Sequence, residues 1–329
     1  MILQSFVSSH LRRNIVPRQK KILITGVAGF IGSNLASRLL AEGYEVLGID
    51  NLAYGLRENV PEDVEFYHLD IRDKDMYPLF KGVDTVFHLA AKNCISDCQT
   101  DPVETAQINV SGTVNVFEAA RRVRLRKVVY AESSALYEGS SIYPTPESEE
   151  RPESFYAVSK LASMHFAKAY ERFYGLKFTA LRYFCVYGPV QDYRRTIPPV
   201  MSAFIIKLLK GGRPIIYGTG EKRRDFVYVD DVNDFHLICI RDDRTNGKTF
   251  NIGSGVNYSV KEILDRVSKI LHITPDPIYK DDLPGEAQVT LADITQAKGV
   301  CWKPKTPLEE GLERAIEYIR QETKAGRIP

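Results

Sequence analysis

Two stretches hold residues whose types and spacing can do chemistry. The first is Gly26-Val27-Ala28-Gly29-Phe30-Ile31-Gly32, a GxxGxxG run between an apolar stretch and a helical pattern. In such a run the first glycine permits a tight turn, and the second lets backbone approach a pyrophosphate. The third lets helix and strand pack closely, and the helix N-terminus then faces the phosphates. Gly26, Gly29, Phe30, Ile31 and Gly32 are therefore candidate cofactor-binding residues. Asp50 ends the next apolar run, 18 residues beyond Gly32. A carboxylate there accepts hydrogen bonds from ribose hydroxyls and repels a 2′-phosphate, which points to NAD rather than NADP.

The second stretch is Tyr156-Ala157-Val158-Ser159-Lys160. Four-residue spacing puts the phenol and the ammonium on one helix face. A free tyrosine titrates near pH ~10, too high for a proton acceptor at neutral pH. A nearby ammonium and a cationic nicotinamide ring both favour the phenolate. Lowering the pKa by ~3 units takes about 4 kcal/mol of differential interaction. The pair then reads as a proton acceptor poised near working pH. On a helix taken at random the pair would be a surface contact; downstream of a dinucleotide loop it reads as catalytic.

These residues need a frame. Strands are predicted at Lys21–Thr25, Glu45–Ile49, Val64–Leu69, Thr85–Leu89, Lys127–Ala131 and Phe178–Leu181. Helical spacing falls over Ile31–Ala41, Val103–Val123 and Phe155–Tyr174. Strands apolar on both faces, alternating with helices, predict a Rossmann-type α/β fold: a doubly wound parallel sheet covered on both sides. After about residue 185 prolines cluster and strands shorten. The expected division is an N-terminal extension over 1–20, an NAD-binding domain over 21–185 with returning segments from the C-terminal half, and a mainly substrate-binding lobe over 186–329.

Composition narrows the function. A net charge of +2 suggests no nucleic-acid partner. No apolar run reaches the ~18 residues of a membrane span. The first 20 residues lack the apolar core of a secretion signal, although an organellar targeting arm remains an alternative. Five scattered cysteines suit reduced thiols and a cytoplasmic location. Cys94 and Cys98 lack further ligands at metal spacing, so no metal is expected.

Taken together, the motifs resemble the extended short-chain dehydrogenase/reductases, in the nucleotide-sugar epimerase/dehydratase branch. They are TGVAGFIG (25–32), DN (50–51), DI (70–71), HLAAK (88–92), NVSGT (109–113), ESSALY (132–137), YAVSK (156–160), LRYFCVYGP (181–189) and RRDFVYVDDV (223–232). The resemblance implies that Asn51, Asp70 and Ile71 lie near the adenosine. It places Leu89, Ala90, Ala91 and Lys92 along the cofactor path, Asn109 by the nicotinamide-side ribose, and Tyr183 at the nicotinamide end. His88 is expected to be a packed strand-end residue. Arg224 resembles the arginine that grips the nucleotide diphosphate; the alternative is an ion pair with Asp225 or Asp230.

Ser133 matches the hydroxyl that, in the family, hydrogen-bonds the reacting sugar oxygen. Family dehydratases carry Asp then Glu at the next two positions. This chain has Ser134 and Ala135, which resembles the epimerases. The implied reaction is inversion at C4 through a 4-keto sugar, with Ser133, Tyr156 and Lys160 catalytic and no net use of NAD. Lys92, Ser133, Ser134, Tyr156, Cys185, Tyr217, Arg224, Glu286 and Thr290 are the expected substrate contacts. Three departures bear on the substrate. Cys185 stands where the family usually has Asn. Leu283 replaces an arginine, so Arg194, Arg195 or Arg223 must help Arg224. Thr290 replaces a bulky Tyr of hexose-restricted relatives, which leaves room for a 2-acetamido group and favours UDP-N-acetylhexosamines. A glucuronate-type decarboxylase, a uronate epimerase and a non-catalytic NAD-binding scaffold are the alternatives. The resemblance also implies a homodimer through the helices at 103–123 and 155–174.

Overall fold

A computed structural model describes residues 20–195, 197–282 and 287–328. The extension at 1–19, Leu283 and Glu286 lie outside the described residues. The main sheet is parallel throughout and has seven strands in the order β10-β6-β5-β4-β1-β2-β3. Six of them are β1 (Lys21–Thr25), β2 (Glu45–Asp50), β3 (Glu65–His68), β4 (Thr85–His88), β5 (Lys127–Ser133) and β6 (Phe178–Tyr183). Three short strands follow, β7 (Cys185–Tyr187), β8 (Ile215–Tyr217) and β9 (Arg223–Tyr228), and then β10 (Lys248–Ile252), which returns to pair with β6. This is the Rossmann-type fold the alternation predicts. The strand β10 was not among the sequence-predicted strands.

Alternation within each strand builds two cores. Ile22 and Ile24 of β1 join one apolar cluster, while Leu23 between them joins the other. Successive side chains of a strand point to opposite faces, so both faces must be covered by helices. Each fully buried Leu or Ile contributes about 1.5–3 kcal/mol. One face receives α1 (Phe30–Ala41). The helices of the other face are α2 (Ile95–Thr100), α3 (Pro102–Ala106), α4 (Thr113–Arg122) and α5 (Phe155–Tyr174). The single helix expected over 103–123 is broken by a wide turn of helix at Gln107–Gly112. The α5 boundaries match the expectation; Ser154 caps it by accepting from Ala157 N, and Gly175 ends it at positive φ.

A third cluster fills the smaller lobe, with α6 (Val200–Leu209) against the C-terminal helix Leu308–Lys324. The chain then returns: α7 (Val229–Arg241) lies against α1, and Phe235 meets Trp302 edge to face at 5.4 Å. In the smaller lobe β9 pairs with β7 on one side and with Asn257–Ser259 on the other. Parallel strands all end on the same side of a sheet, and their carboxyl ends leave the crevice where such folds bind ligands.

Candidate active site

That crevice is one continuous cleft of about 1640 Å³ between the two lobes. Its floor at one end is the glycine turn. Gly26 has φ +77°, and an added Cβ would meet Ala90 N at 2.7 Å. At Gly32 a Cβ would lie 2.1 Å from Gly26 O, so helix and turn touch through backbone alone. Gly29 caps α1 without a side-chain bond, and the first turn carries no acidic residue. Free amides and a positive helix end therefore face the cleft, which suits a pyrophosphate. Asp50 accepts from Ala28 N at 3.0 Å and Leu52 N at 2.8 Å, anchoring the turn to the end of β2. Burial raises its pKa while those amides pull it down. Asp70 is fixed by Arg72 and by Asn51 Nδ2 at 2.8 Å, and Arg72 holds its carboxyl at about 2. The cradle fits a dinucleotide without a 2′-phosphate.

Gly26, Gly29, Phe30, Ile31, Gly32, Asp50, Asn51, Asp70, Ile71, Leu89, Ala90, Ala91, Lys92 and Tyr183 all line the cleft. Asn109 does not. Its side chain is spent one layer behind, accepting from Lys92 N at 2.8 Å and donating to Lys92 O and Ser159 Oγ at 2.9 Å. It holds the Lys92 segment in place from the wide turn. The Tyr183 hydroxyl also turns away from the cleft, bonding His236 Nε2 at 2.7 Å. His88 is packed as expected: it bonds Thr25 and Thr113, and burial pushes its pKa down to about 3.

Ser133, Tyr156 and Lys160 meet where β5 and α5 converge, all on the cleft wall. β5 runs two residues beyond its predicted end because Ser133 still pairs with Tyr183 of β6. The Ser133 oxygen accepts from Ala135 N at 3.1 Å, and the Ser133 side chain lies beside Tyr156, whose pKa it pulls down. Lys160 Nζ donates to Ala131 O at 2.8 Å and sits 5.0 Å from the Tyr130 ring centre. Without the cofactor the phenol is not lowered. Burial raises Tyr156 to about 12, with Ser133 and Arg195 pulling it down, and lowers Lys160 to about 8. In the chain by itself the apolar surroundings outweigh the neighbouring charges. A lowered phenol is therefore not a property of the Tyr156–Lys160 spacing alone.

Ser134, Cys185, Tyr217, Arg224 and Thr290 line the same cleft. Arg224 Nη1 donates to Arg223 O at 3.0 Å. Asp225, one of its two suspected partners, is buried on the other side of β9. It accepts from Ser254 N, Ser254 Oγ, Gly255 N and Ala292 N. Asp225 N in turn donates to Thr290 Oγ1 at 3.2 Å. Arg194 and Arg195 line the cleft beside Asp192, but Arg223 points away, to Asn257 and Glu262. Lys92, expected to serve both cofactor and substrate, is ion-paired with Glu104 at 2.5 Å.

Three parts of this wall escaped the sequence. Tyr54 stands over the cleft on the loop after Asp50, and its carbonyl accepts from Arg194 Nη2. Met201 and Phe204 enter from α6. Glu132, beside Ser133, pairs with Arg182. A carboxylate within an apolar strand was a signal available for the last of these.

The model of the NAD dependent epimerase/dehydratase family matches residues 22–253. A putative UDP-glucose 4-epimerase from Methanocaldococcus jannaschii is 36% identical, over 92% of this chain and 99% of its own. A UDP-N-acetylglucosamine 4-epimerase from Methanobrevibacter ruminantium, solved with UDP-N-acetylmuramic acid, is 32% identical with a TM-score of 0.89, covering 92% of this chain and 99% of its own. A UDP-glucuronic acid 4-epimerase from Bacillus cereus, solved with UDP-glucuronic acid and NAD, is 30% identical with a TM-score of 0.86 over the same shares. With the glycine cradle and Asp50 at the head of the cleft, this chain belongs to the NAD dependent epimerase/dehydratase family, and NAD is its cofactor.

Proposed function

We propose that the chain is a 4-epimerase of UDP-sugars, with Tyr156, Ser133 and Lys160 as its acid/base group. One observation carries this reading: Ser133, Tyr156 and Lys160 line a single cleft that also holds Arg224. The two positions after Ser133 bring no carboxylate that could drive elimination. Glu138, on the following turn, is committed to Ser154 and Glu153 at the start of α5. Bound NAD supplies reversible hydride acceptance at C4 of the sugar. Tyr156 accepts the 4-hydroxyl proton and later returns it to the same oxygen. Ser133 holds that oxygen in line, and Lys160 stabilises the phenolate. Orientation and proton transfer are the contributions asked of the protein. Arg224 suits the diphosphate, with Arg194 and Arg195 nearby.

For the sugar we favour a 2-acetamido hexose. Thr290 is small, and its hydroxyl is held against β9 by Asp225 N. Incubation with UDP-glucose, UDP-N-acetylglucosamine and UDP-glucuronic acid, followed by NMR of the products, tests both the reaction and the gate. Thr290→Tyr is expected to lower kcat/KM for the N-acetyl substrate by about 10–100-fold and to leave UDP-glucose nearly unaffected. Equal losses on both substrates would remove the gate.

A uronate is the second reading, because Arg195 lies close enough to Tyr156 to pull its pKa down. A carboxylate on the reacting sugar would find that guanidinium. Preference for UDP-glucuronic acid in the same panel would select it, and carbon dioxide release would mark a decarboxylase.

We also infer a homodimer. Val103 on α3 and Phe166 and Phe173 on α5 are 67%, 44% and 72% exposed, apolar surface that a second copy would remove from water. Sedimentation velocity is expected to give twice the chain mass of 37.2 kDa; a monomer at micromolar concentration would refute the inference.

A further inference from the structure

Lys160 is fully enclosed, and an ammonium in such a place needs a counter-charge to stay protonated. The groups packed around it come from several elements. His88 of β4 is neutral, Cys98 of α2 is a thiol, and Tyr130 of β5 and Tyr156 of α5 are phenols at neutral pH. Glu132 of β5 is the carboxyl group among these neighbours; burial raises its pKa, and the Arg182 guanidinium opposes that and favours the carboxylate. Glu132 shares a strand face with Tyr130, whose ring Lys160 covers. The Glu132 side chain is 0% exposed, and its Oε2 accepts from Arg182 Nε at 2.8 Å. Its Oε1 is buried and has no hydrogen-bond partner among the described residues. Arg182 is itself divided among Tyr137, Glu147 O and Glu150 at 2.5 Å, so it does not neutralise Glu132 alone.

We propose that Glu132 is a positioning residue for the acid/base group: held by Arg182, it supplies the counter-charge that keeps Lys160 cationic. This rests on the reading of Tyr156 and Lys160 given above. The backbone supports it, since Lys160 Nζ is bonded to Ala131 O, the carbonyl immediately before Glu132. One register therefore fixes the ammonium, the carboxylate and Ser133 together. Titration points the same way: burial depresses Lys160, and the Glu132 charge is the largest opposing influence. The carboxylate also explains why an ionisable side chain occupies the position before Ser133, where packing alone would be served by an apolar one.

The test is the titration of Lys160 itself, read from its ¹³Cε shift in lysine-labelled protein, cofactor-free and NAD-loaded, with no substrate. In the wild type the midpoint is expected at about 8 without cofactor. Glu132→Gln removes the negative charge and leaves Arg182 positive, so the midpoint is expected to fall by about one pH unit, a tenfold change. Glu132→Asp keeps the charge and should restore the wild-type value. The alkaline limb of the kcat profile should move down by the same interval in Glu132→Gln. If the lone Arg182 unfolds that variant, the double variant Glu132→Gln with Arg182→Gln removes that unpaired guanidinium too, and its midpoint should still lie below wild type. A midpoint unchanged in Glu132→Gln, or not lowered in the double variant, overturns the proposal. Because the readout needs no turnover, it stands apart from failure of the epimerase reading, which the Tyr156→Phe result decides.

Discussion

Tyr156→Phe is expected to cut turnover of any accepted UDP-sugar by about 10²–10⁴-fold while leaving NAD bound. Only a hydroxyl is lost, so the ring still fills its place against the sheet and the fold should survive. What disappears is the hydroxyl beside Ser133 that is proposed to exchange a proton with the sugar oxygen. The measurement is paired: product formation by NMR, and the NAD content of the purified protein. Unimpaired turnover would remove Tyr156 from the chemistry, and loss of NAD would make it a structural residue. The phenol itself can be followed by its absorbance. In the cofactor-free protein burial holds it at about 12. No phenolate from this residue should therefore appear until strongly alkaline pH, and loading with a cationic ring should move its appearance to lower pH.

Gly32→Ala is expected to have the other large effect, on NAD retention and on stability together. The new methyl would sit 2.1 Å from Gly26 O, 2.9 Å from the Gly26 carbonyl carbon and 2.9 Å from Val27 Cα. All three are backbone atoms, so no side-chain rotation relieves the contact. The turn must open, at a cost of about 3 kcal/mol or more. Urea unfolding measures the stability, and the bound-nucleotide content after gel filtration measures the site. Gly82→Ala is the control. Gly82 has φ +80° and nothing within 4 Å of the added carbon. Its cost is that of the backbone conformation alone, about 1–2 kcal/mol, with NAD untouched. Equal effects at the two glycines would mean that the close approach at Gly32 is not what shapes the cradle.

Much of this site was legible because its signals are local. A strand, a glycine turn and a helix follow one another without interruption, and Asp50 ends the next strand. α5 runs from Phe155 to Tyr174, as its spacing and its flanking Ser154 and Gly175 imply. In such segments the hydrogen bonds and the apolar face are supplied by neighbours in sequence. Where the partner is distant, the sequence was weaker. Lys248–Ile252 becomes a strand because β6 offers a free edge, and nothing within those five residues names that edge. The helix expected over 103–123 is interrupted because Asn109 must reach the backbone of Lys92.

By itself, then, the sequence determined the cofactor and the family: the GxxGxxG turn, Asp50, and the pair Tyr156 and Lys160, each set by spacing along one element. The tertiary structure decided how the charges behave. It buried Tyr156 and Lys160 together and turned Arg223 away from the cleft. It placed Arg195 where its charge lowers the Tyr156 pKa, and it paired Glu132 with Arg182 in the position before Ser133. Burial and neighbouring charge are properties of assembled elements, and a pKa is a balance of the two, so no spacing rule within one helix could have supplied it.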